Sequence, residues 1–277
     1  MGGCGMLKMN HVTITFQDVN PPQQVVEDFS LSMEPGEIVG IVGESGSGKT
    51  MTALSLMGLL KRDAHITKGS MNFMGKDLAS QTQKGWEAIR GKEISMIFQE
   101  PMTSLNPVLT IGRQMEENLR LHTSLDKKTR YQKALDMMEK VGLPQPEKLY
   151  GQYPHQLSGG MRQRVMIGAA LIGNPKLMIA DEPTTALDVT IQAQILALLK
   201  EMNREFGTAI LFISHDLRVI RSICSRVVVM HQGKMVESGN VQEVMEAPQK
   251  EYTRRLLASI PRRDCSLRRH REERLRQ

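Results

Sequence analysis

The chain has 277 residues, of which 40% are hydrophobic and 24% charged, a composition that favours a folded globular protein and argues against disorder. No stretch approaches the roughly 18 consecutive apolar residues that would predict a membrane span, so any membrane role must be peripheral. Three scattered cysteines, Cys4, Cys224 and Cys265, predict neither a disulfide framework nor a metal cluster, which favours a reducing cytoplasm.

The net charge of +6 is concentrated at the C-terminus. Residues 262–277 hold seven arginines and three acidic residues, a balance of +4, which leaves +2 for the rest of the chain. Such a tail suits nucleic acid or anionic lipid, although a charge run at a chain end is more often simply solvated. The first residues lack a signal-peptide pattern and predict an untargeted start, with Met6 or Met9 as alternative initiators.

Strand-like alternation opens the chain. Residues 11–16 and 25–33 alternate apolar and polar positions around a turn-prone Asn-Pro-Pro, which predicts antiparallel strands. Phe16 ends the first strand. Its ring can pack into the core, the usual place for a strand aromatic, or stack on an adenine.

A phosphate-binding loop follows the apolar strand at 38–42. Its residues are Gly43, Glu44, Ser45, Gly46, Ser47, Gly48, Lys49 and Thr50. The pattern G-x-x-x-x-G-K-[ST], followed by helix-forming residues, directs backbone N–H groups and a helix N-terminus at phosphate oxygens. Lys49 supplies charge for the β- and γ-phosphates, and Thr50 places its hydroxyl where a bridging Mg²⁺ would sit. The motif predicts nucleotide binding but does not distinguish between classes of nucleotide enzyme.

The middle of the chain changes from strands to helices. Strands are predicted at 69–75 and 93–98, with a polar connection between them. Residues 99–107, with two prolines, predict an irregular surface loop that begins at Gln99. Helical spacing dominates from there to about 157, and its methionine-rich faces are interpreted as core or a partner groove.

A second anion-receptive helix N-terminus follows. Ser158 is a natural N-cap, and Gly159 and Gly160 leave backbone N–H groups uncovered. The apolar positions Val165 and Ile172 of the predicted helix share one face. One chain therefore contains two segments that attract phosphate.

Acidic and imidazole side chains follow the next two predicted strands. The strand at 177–180 ends in Asp181 and Glu182, and the strand at 209–213, predicted as the last of the core, precedes His215. Asp181 can reach Mg²⁺, Glu182 can polarise an attacking water, and a histidine at a strand end can contact a γ-phosphate.

Together these motifs, in this order and spacing, resemble an ABC-type ATPase subunit, over residues 7–261. The resemblance is closest to the peptide and nickel importer branch, and it is carried by residues 99–107, 158–164, 180–194 and 252–261. Met161 stands where the wider family usually has Gln, and Met is ordinary in this branch. The implied fold is α/β, a P-loop NTPase core of ABC type with an N-terminal antiparallel β subdomain and an α-helical subdomain inserted at about 100–157. The basic tail at 262–277 lies outside this domain.

The resemblance implies that ATP and Mg²⁺ are bound between two chains arranged head to tail. Lys49 and Thr50 of one chain and Ser158 to Gly160 of the other would enclose one ATP. Implied roles for single residues are metal binding by Thr50, Gln99 and Asp181, general base catalysis by Glu182, γ-phosphate binding by His215, and adenine stacking by Phe16.

Implied partners are two transmembrane permease subunits, a second ATPase subunit (the same chain or a paralogue) and an external solute-binding protein. The permeases would be moved through the 99–107 loop and the helical region after it, at the cytoplasmic face of a prokaryotic inner membrane. Many peptide-importer ATPases of this branch carry a cysteine-rich motif near the C-terminus that can hold an iron–sulfur cluster. Here Cys265 is alone in that region and cannot supply four thiolates. We expect no cluster, which iron and sulfide analysis of anaerobically purified protein would check.

Two other classes are weighed against the importer. A soluble ABC ATPase acting on nucleic acid or ribosomes would use the arginine tail. However, the chain has one ATPase unit, and only 58 residues separate Gln99 from Ser158, too few for a long coiled-coil insertion. A P-loop kinase would leave Leu157 to Gly160 and His215 without roles. We therefore do not expect nucleic acid as a partner, and the cargo is left open between peptide, nickel and a metal–chelator complex.

Overall fold

The computed structural model describes residues 5–99, 104–185 and 187–259. Several features singled out in the sequence lie outside the described residues. They are residues 100–103 of the proline-containing loop, Ala186, the end of the 252–261 segment, the basic tail, Cys4 and Cys265.

A mixed sheet of ten strands organises the described residues, in the order β5-β4-β1-β2-β10-β9-β3-β8-β7-β6. The strands are β1 (Leu7–Phe16), β2 (Gln23–Met33), β3 (Ile38–Val42), β4 (Ala64–Phe73), β5 (Lys76–Asp77), β6 (Ile94–Ile97), β7 (Leu177–Asp181), β8 (Ala209–Ser214), β9 (Arg226–His231) and β10 (Lys234–Asn240). Strands β1, β2 and β4 pair antiparallel, as predicted for the N-terminal part, whereas β9, β3, β8, β7 and β6 pair parallel.

Helices cover the sheet. In the described ranges they are α1 (Lys49–Leu56), α2 (Gln83–Ile89), α3 (Ile111–His122), α4 (Lys127–Lys140), α5 (Pro146–Tyr150), α6 (Gly159–Leu171), α7 (Val189–Phe206), α8 (Leu217–Ile223), α9 (Val241–Glu246) and α10 (Glu251–Ala258). Among the helices of the described residues, none combines the length and the apolar character that crossing a membrane requires.

The parallel strands separate two hydrophobic cores. All residues of β3 are buried, and they alternate between the cores because successive strand residues point to opposite faces. Val39 and Ile41 pack with the N-terminal strands and α1, whereas Ile38 and Val42 pack with the helices from α3 onwards. The phosphate-loop strand is therefore held from both sides.

The predicted α/β fold is confirmed, with two local corrections. The prediction that residues 209–213 form the last core strand is wrong, because β9 follows and pairs parallel with β3. The apolar run at 227–230 is the sequence feature that indicates this buried strand. The predicted polar connection contains helix α2, which starts where the Thr82 hydroxyl accepts the N–H of Gly85.

Candidate functional site

The loop at 43–50 joins β3 to α1 and is packed tightly against neighbouring backbone. A Cβ atom at Gly43 would lie 2.2 Å from the carbonyl oxygen of Met230. Gly48 has φ +99°, and a Cβ there would lie 2.7 Å from the carbonyl oxygen of Val25. Glycine is required at both positions because no side chain fits these approaches.

The Lys49 side chain folds back into the loop. Its Nζ donates to the carbonyl oxygens of Gly43 and Glu44, both at 2.8 Å, and the residue is 5% exposed. Burial lowers the pKa of Lys49 from its ordinary value, and the carboxylates of Glu182, Asp181 and Glu44 oppose that shift. The loop backbone therefore surrounds the amine. When ATP binds, the amine can donate to phosphate oxygens in place of these two carbonyl oxygens.

Gln99 and His215 both contact the same carboxylate oxygen of Glu182, and the sequence had predicted all three as site residues. Gln99 follows β6, Glu182 follows β7 and His215 follows β8, and these strands are parallel neighbours. Glu182 Oε2 accepts from Gln99 Nε2 at 3.3 Å and lies 3.1 Å from His215 Nδ1. The hydroxyl of Thr185, which has no distinctive sequence signal, donates to the same oxygen at 2.9 Å.

The backbone aims the Glu182 side chain into this cluster. Glu182 has φ +47°, a left-handed conformation that residues other than glycine rarely adopt, and its N–H donates to the carbonyl of Ile213 at 2.9 Å. The side chain is 12% exposed, whereas that of His215 is 60% exposed. A carboxylate held this firmly beside an accessible imidazole can orient a water and accept its proton.

Asp181 ends β7 with a buried carboxylate near Lys49 and Thr50. It is 2% exposed, and its Oδ1 has no hydrogen-bond partner among the described residues. Burial raises the pKa of Asp181, the Glu182 charge adds to the rise, and the Thr50 hydroxyl and the Lys49 charge oppose it. Buried carboxylate oxygens are normally paired, and a hydroxyl with a carboxylate suits Mg²⁺. These residues therefore fit the predicted magnesium ion.

Asp181→Asn is expected to raise the unfolding temperature of the nucleotide-free protein near neutral pH by about 2–4 °C. A pKa raised by folding means that the charged carboxylate destabilises the fold, so stability present at low pH is lost as the pH rises through the folded-state pKa. Asparagine removes this loss, and the gain should shrink as the pH is lowered.

Thermal unfolding of Asp181→Asn, compared with that of the exposed control Asp18→Asn, checks this expectation. ATP turnover should fall in the first variant alone. An unfolding temperature below that of the parent chain would contradict a destabilising charge at Asp181.

The Ser158 segment forms an uncovered helix N-terminus. Ser158 is exposed and caps α6 by accepting the N–H of Met161 at 3.4 Å. A Cβ at Gly159 would meet nothing within 4 Å. In the described part of the chain, this hydrogen bond stays within the helix, and none joins Ser158 to the phosphate loop. The segment faces solvent and is open to an anion.

Comparison with known proteins identifies the family. The ABC transporter family profile matches residues 26–185. The oligopeptide transport ATP-binding protein AppD of Bacillus subtilis (strain 168) is 49% identical over 92% of this chain and 78% of its own length. The corresponding OppD of the same organism is 46% identical over 94% of this chain and 73% of its own length. The chain belongs to the ABC transporter family.

A solved structure of an ABC cassette supports the same assignment. The dimeric post-hydrolysis structure of the ATP-binding cassette MJ0796, bound to ADP and Pi, superposes with a TM-score of 0.76 at 28% identity. The match covers 85% of this chain and 99% of that one. The chain is therefore an ABC ATPase that binds nucleotide and energises transport, as predicted from its motifs.

This chain also contains an open groove with a volume of about 400 Å³. Its walls include Phe98 after β6 and Leu121 on α3, which are 43% and 66% exposed. Ser95 and Asn118 also border the groove, but the atoms Ser95 Oγ and Asn118 Oδ1 are themselves buried and have no hydrogen-bond partner among the described residues. Phe98 and Leu121 therefore give the groove an exposed apolar part.

Two aromatic residues, Phe16 and Tyr252, lie on β1 and on α10. Phe16 ends β1 half-buried and packs partly against the N-terminal core. Tyr252 on α10 accepts the N–H of Glu44 in the phosphate loop. No local pattern in the sequence predicts this role for Tyr252, because the contact joins residues 208 positions apart.

Proposed function

We propose that this chain hydrolyses ATP at the cytoplasmic face of the cell membrane to energise the import of peptides. The observation that carries the hydrolytic part is the convergence of Gln99 and His215 on Glu182 Oε2. The cargo rests on AppD and OppD, both named as oligopeptide transport proteins. Peptide is the cargo that these names support, so we prefer it to nickel or a metal–chelator complex.

In this proposal, the phosphate loop at 43–50 binds ATP through Lys49 and through backbone N–H groups other than that of Glu44, which Tyr252 accepts. The buried amine already points at loop carbonyls within 2.8 Å, so phosphate oxygens replace existing contacts and the side chain need not be reordered. Phe16 stacks on the adenine with the exposed part of its ring.

Thr50, Gln99 and Asp181 would hold Mg²⁺, the last through its unpartnered buried oxygen. When bound, the ion neutralises charge on the phosphate oxygens. Glu182 accepts the proton of the attacking water, and His215 donates to the γ-phosphate. Because Glu182 Oε2 already lies 3.1 Å from His215 Nδ1, the base and the phosphate ligand are placed together before substrate arrives.

A second ATPase chain, a copy of this one or a paralogue, would complete each site. Ser158, Gly159 and Gly160 are exposed or half-buried, and the Ser158 hydrogen bond stays within α6, so their N–H groups are available to an ATP on the facing chain. The related MJ0796 cassette with ADP and Pi is dimeric. The cassette is assigned to residues 7–261, followed by the basic tail at 262–277.

The groove beside the helical subdomain, residues 100–157, is the proposed permease contact. Each of the two ATPase chains would bind one of the two permeases through it. Exposed Phe98 and Leu121 would pack against an apolar segment of the permease. Gln99 directly follows Phe98 in the chain, so a movement of Gln99 on nucleotide binding would also move Phe98 in the groove wall.

Leu121→Glu is expected to lower permease binding by about 10²-fold or more, because it buries an unpaired charge in the contact. ATP binding by the isolated chain should be unchanged. The control Met74→Glu alters another exposed apolar residue, 53% exposed and outside the groove lining, and should retain the permeases. Equal permease recovery in both variants would contradict the groove assignment.

Affinity purification from detergent-solubilised membranes, followed by mass spectrometry, tests the function itself. Recovery of two permeases and an external peptide-binding protein is the expected result. A metal-binding protein in that place would replace peptide with a metal cargo. Ribosomes or nucleic acid without a permease would overturn the transport function.

A further inference from the structure

The β9–β10 turn and the C-terminal helix α10 meet the phosphate loop on the same side. The N–H of Gly233 donates to the carbonyl of Ser47 at 3.1 Å, and Met230 lies against Gly43 as described above. Tyr252 Oη accepts the N–H of Glu44 at 3.4 Å. The loop is therefore supported at its beginning and at its middle by elements from the end of the chain.

The Tyr252 ring is held by its own surroundings. It stacks on the His231 ring with centroids 3.9 Å apart and an angle of 28° between the planes. Helix α10 is tied to β10, because Glu237 accepts the N–H groups of Gln249 at 2.8 Å and Lys250 at 3.2 Å. Burial raises the pKa of Tyr252, which keeps the phenol neutral.

Glu44 lies in the exposed part of the phosphate loop, which has few packing contacts of its own. Residues 44–46 are exposed, whereas Gly43, Ser47 and Lys49 on either side are buried. Among the described residues, Tyr252 is the hydrogen-bond partner of the Glu44 N–H, and it comes from a different element. Losing this contact would leave the exposed turn free to fluctuate while the buried ends stay in place.

We propose that Tyr252 is a positioning residue that holds the phosphate loop in its nucleotide-binding conformation, so that helix α10 sets the affinity for ATP. Tyr252 acts through Glu44 and His231 and does not touch the reacting atoms. The proposal rests on the ATP-binding role of the loop.

Tyr252→Phe removes only the hydroxyl and is expected to raise the KM for ATP about threefold to tenfold, the effect of one neutral hydrogen bond. A loop that is competent for only part of the time binds ATP more weakly, but saturating ATP restores it, so kcat should change by less than about twofold. In hydrogen exchange of the nucleotide-free chain, the Glu44 amide should exchange faster than in the parent.

Matched variants distinguish a positioning role of Tyr252 from a general loss of folded structure. Tyr131→Phe removes a hydroxyl that makes no hydrogen bond in the described part of the chain, on a ring packed 4.7 Å from Tyr150, and should leave KM unchanged. His231→Ala should raise KM as Tyr252→Phe does, and His231→Phe, which keeps a stacking ring, should restore it. An unchanged KM and unchanged Glu44 exchange in Tyr252→Phe would overturn the proposal.

Lys49→Ala distinguishes this proposal from the ATP site itself. If Lys49→Ala abolishes ATP binding and Tyr252→Phe has no effect, the site stands and the positioning role fails. If Lys49→Ala binds ATP normally, the assignment of the loop fails first, and the Tyr252 role fails with it.

Discussion

Glu182→Gln is expected to bind ATP as the parent chain does and to hydrolyse it at least about 10²-fold more slowly. Glutamine keeps the length of the side chain and a carbonyl oxygen that can still accept from Thr185 and Gln99, which lie 2.9 and 3.3 Å from Glu182 Oε2. It cannot accept a proton from water. The variant therefore separates the base from the geometry around it.

Phosphate release under saturating ATP, together with equilibrium ATP binding, measures the two properties separately. Glu201→Gln, a change at an exposed position of α7, is the matched control and should behave as the parent. Turnover of Glu182→Gln within a few-fold of the parent would remove Glu182 from the proposed base role. Loss of binding with loss of turnover would show that the side chain serves the fold of the site.

Ser158→Arg is expected to abolish ATP turnover while leaving ATP binding to an isolated chain unchanged. The Ser158 hydroxyl caps α6 and is exposed, and in the described residues it has no hydrogen bond to its own phosphate loop. Arginine fills the space before the helix N-terminus, so it should block a phosphate carried by the facing chain. Loss of an N-cap costs only about 1 kcal/mol, which a folded cassette tolerates.

The Glu182→Gln background makes this result sharper. Because ATP is hydrolysed far more slowly in that variant, ATP should convert the chain into dimers, which size-exclusion chromatography detects. Adding Ser158→Arg should return it to monomers. Ser80→Arg adds the same charge at an exposed site between β5 and α2 and should leave pairing intact. Weaker ATP binding by the isolated Ser158→Arg chain would contradict the two-chain site.

The catalytic cluster was predicted residue by residue, but its contacts were not. Gln99, Glu182 and His215 each follow a predicted buried strand, and parallel neighbours bring such positions to one edge of a sheet. The sequence does not state that β6, β7 and β8 are neighbours. That order places all three side chains at a single oxygen, and it also brings in Thr185, an ordinary turn residue by sequence.

The sequence by itself determined the chemistry of the cassette, because phosphate loops, helix caps and paired carboxylates are encoded within a few neighbouring residues. It also determined the N-terminal antiparallel strands through their alternation. Only the tertiary structure decided the place of β9, the apolar groove and the support of Glu44 by Tyr252. These depend on contacts between residues up to 208 positions apart, where packing and strand order select the partner and local propensity carries no information.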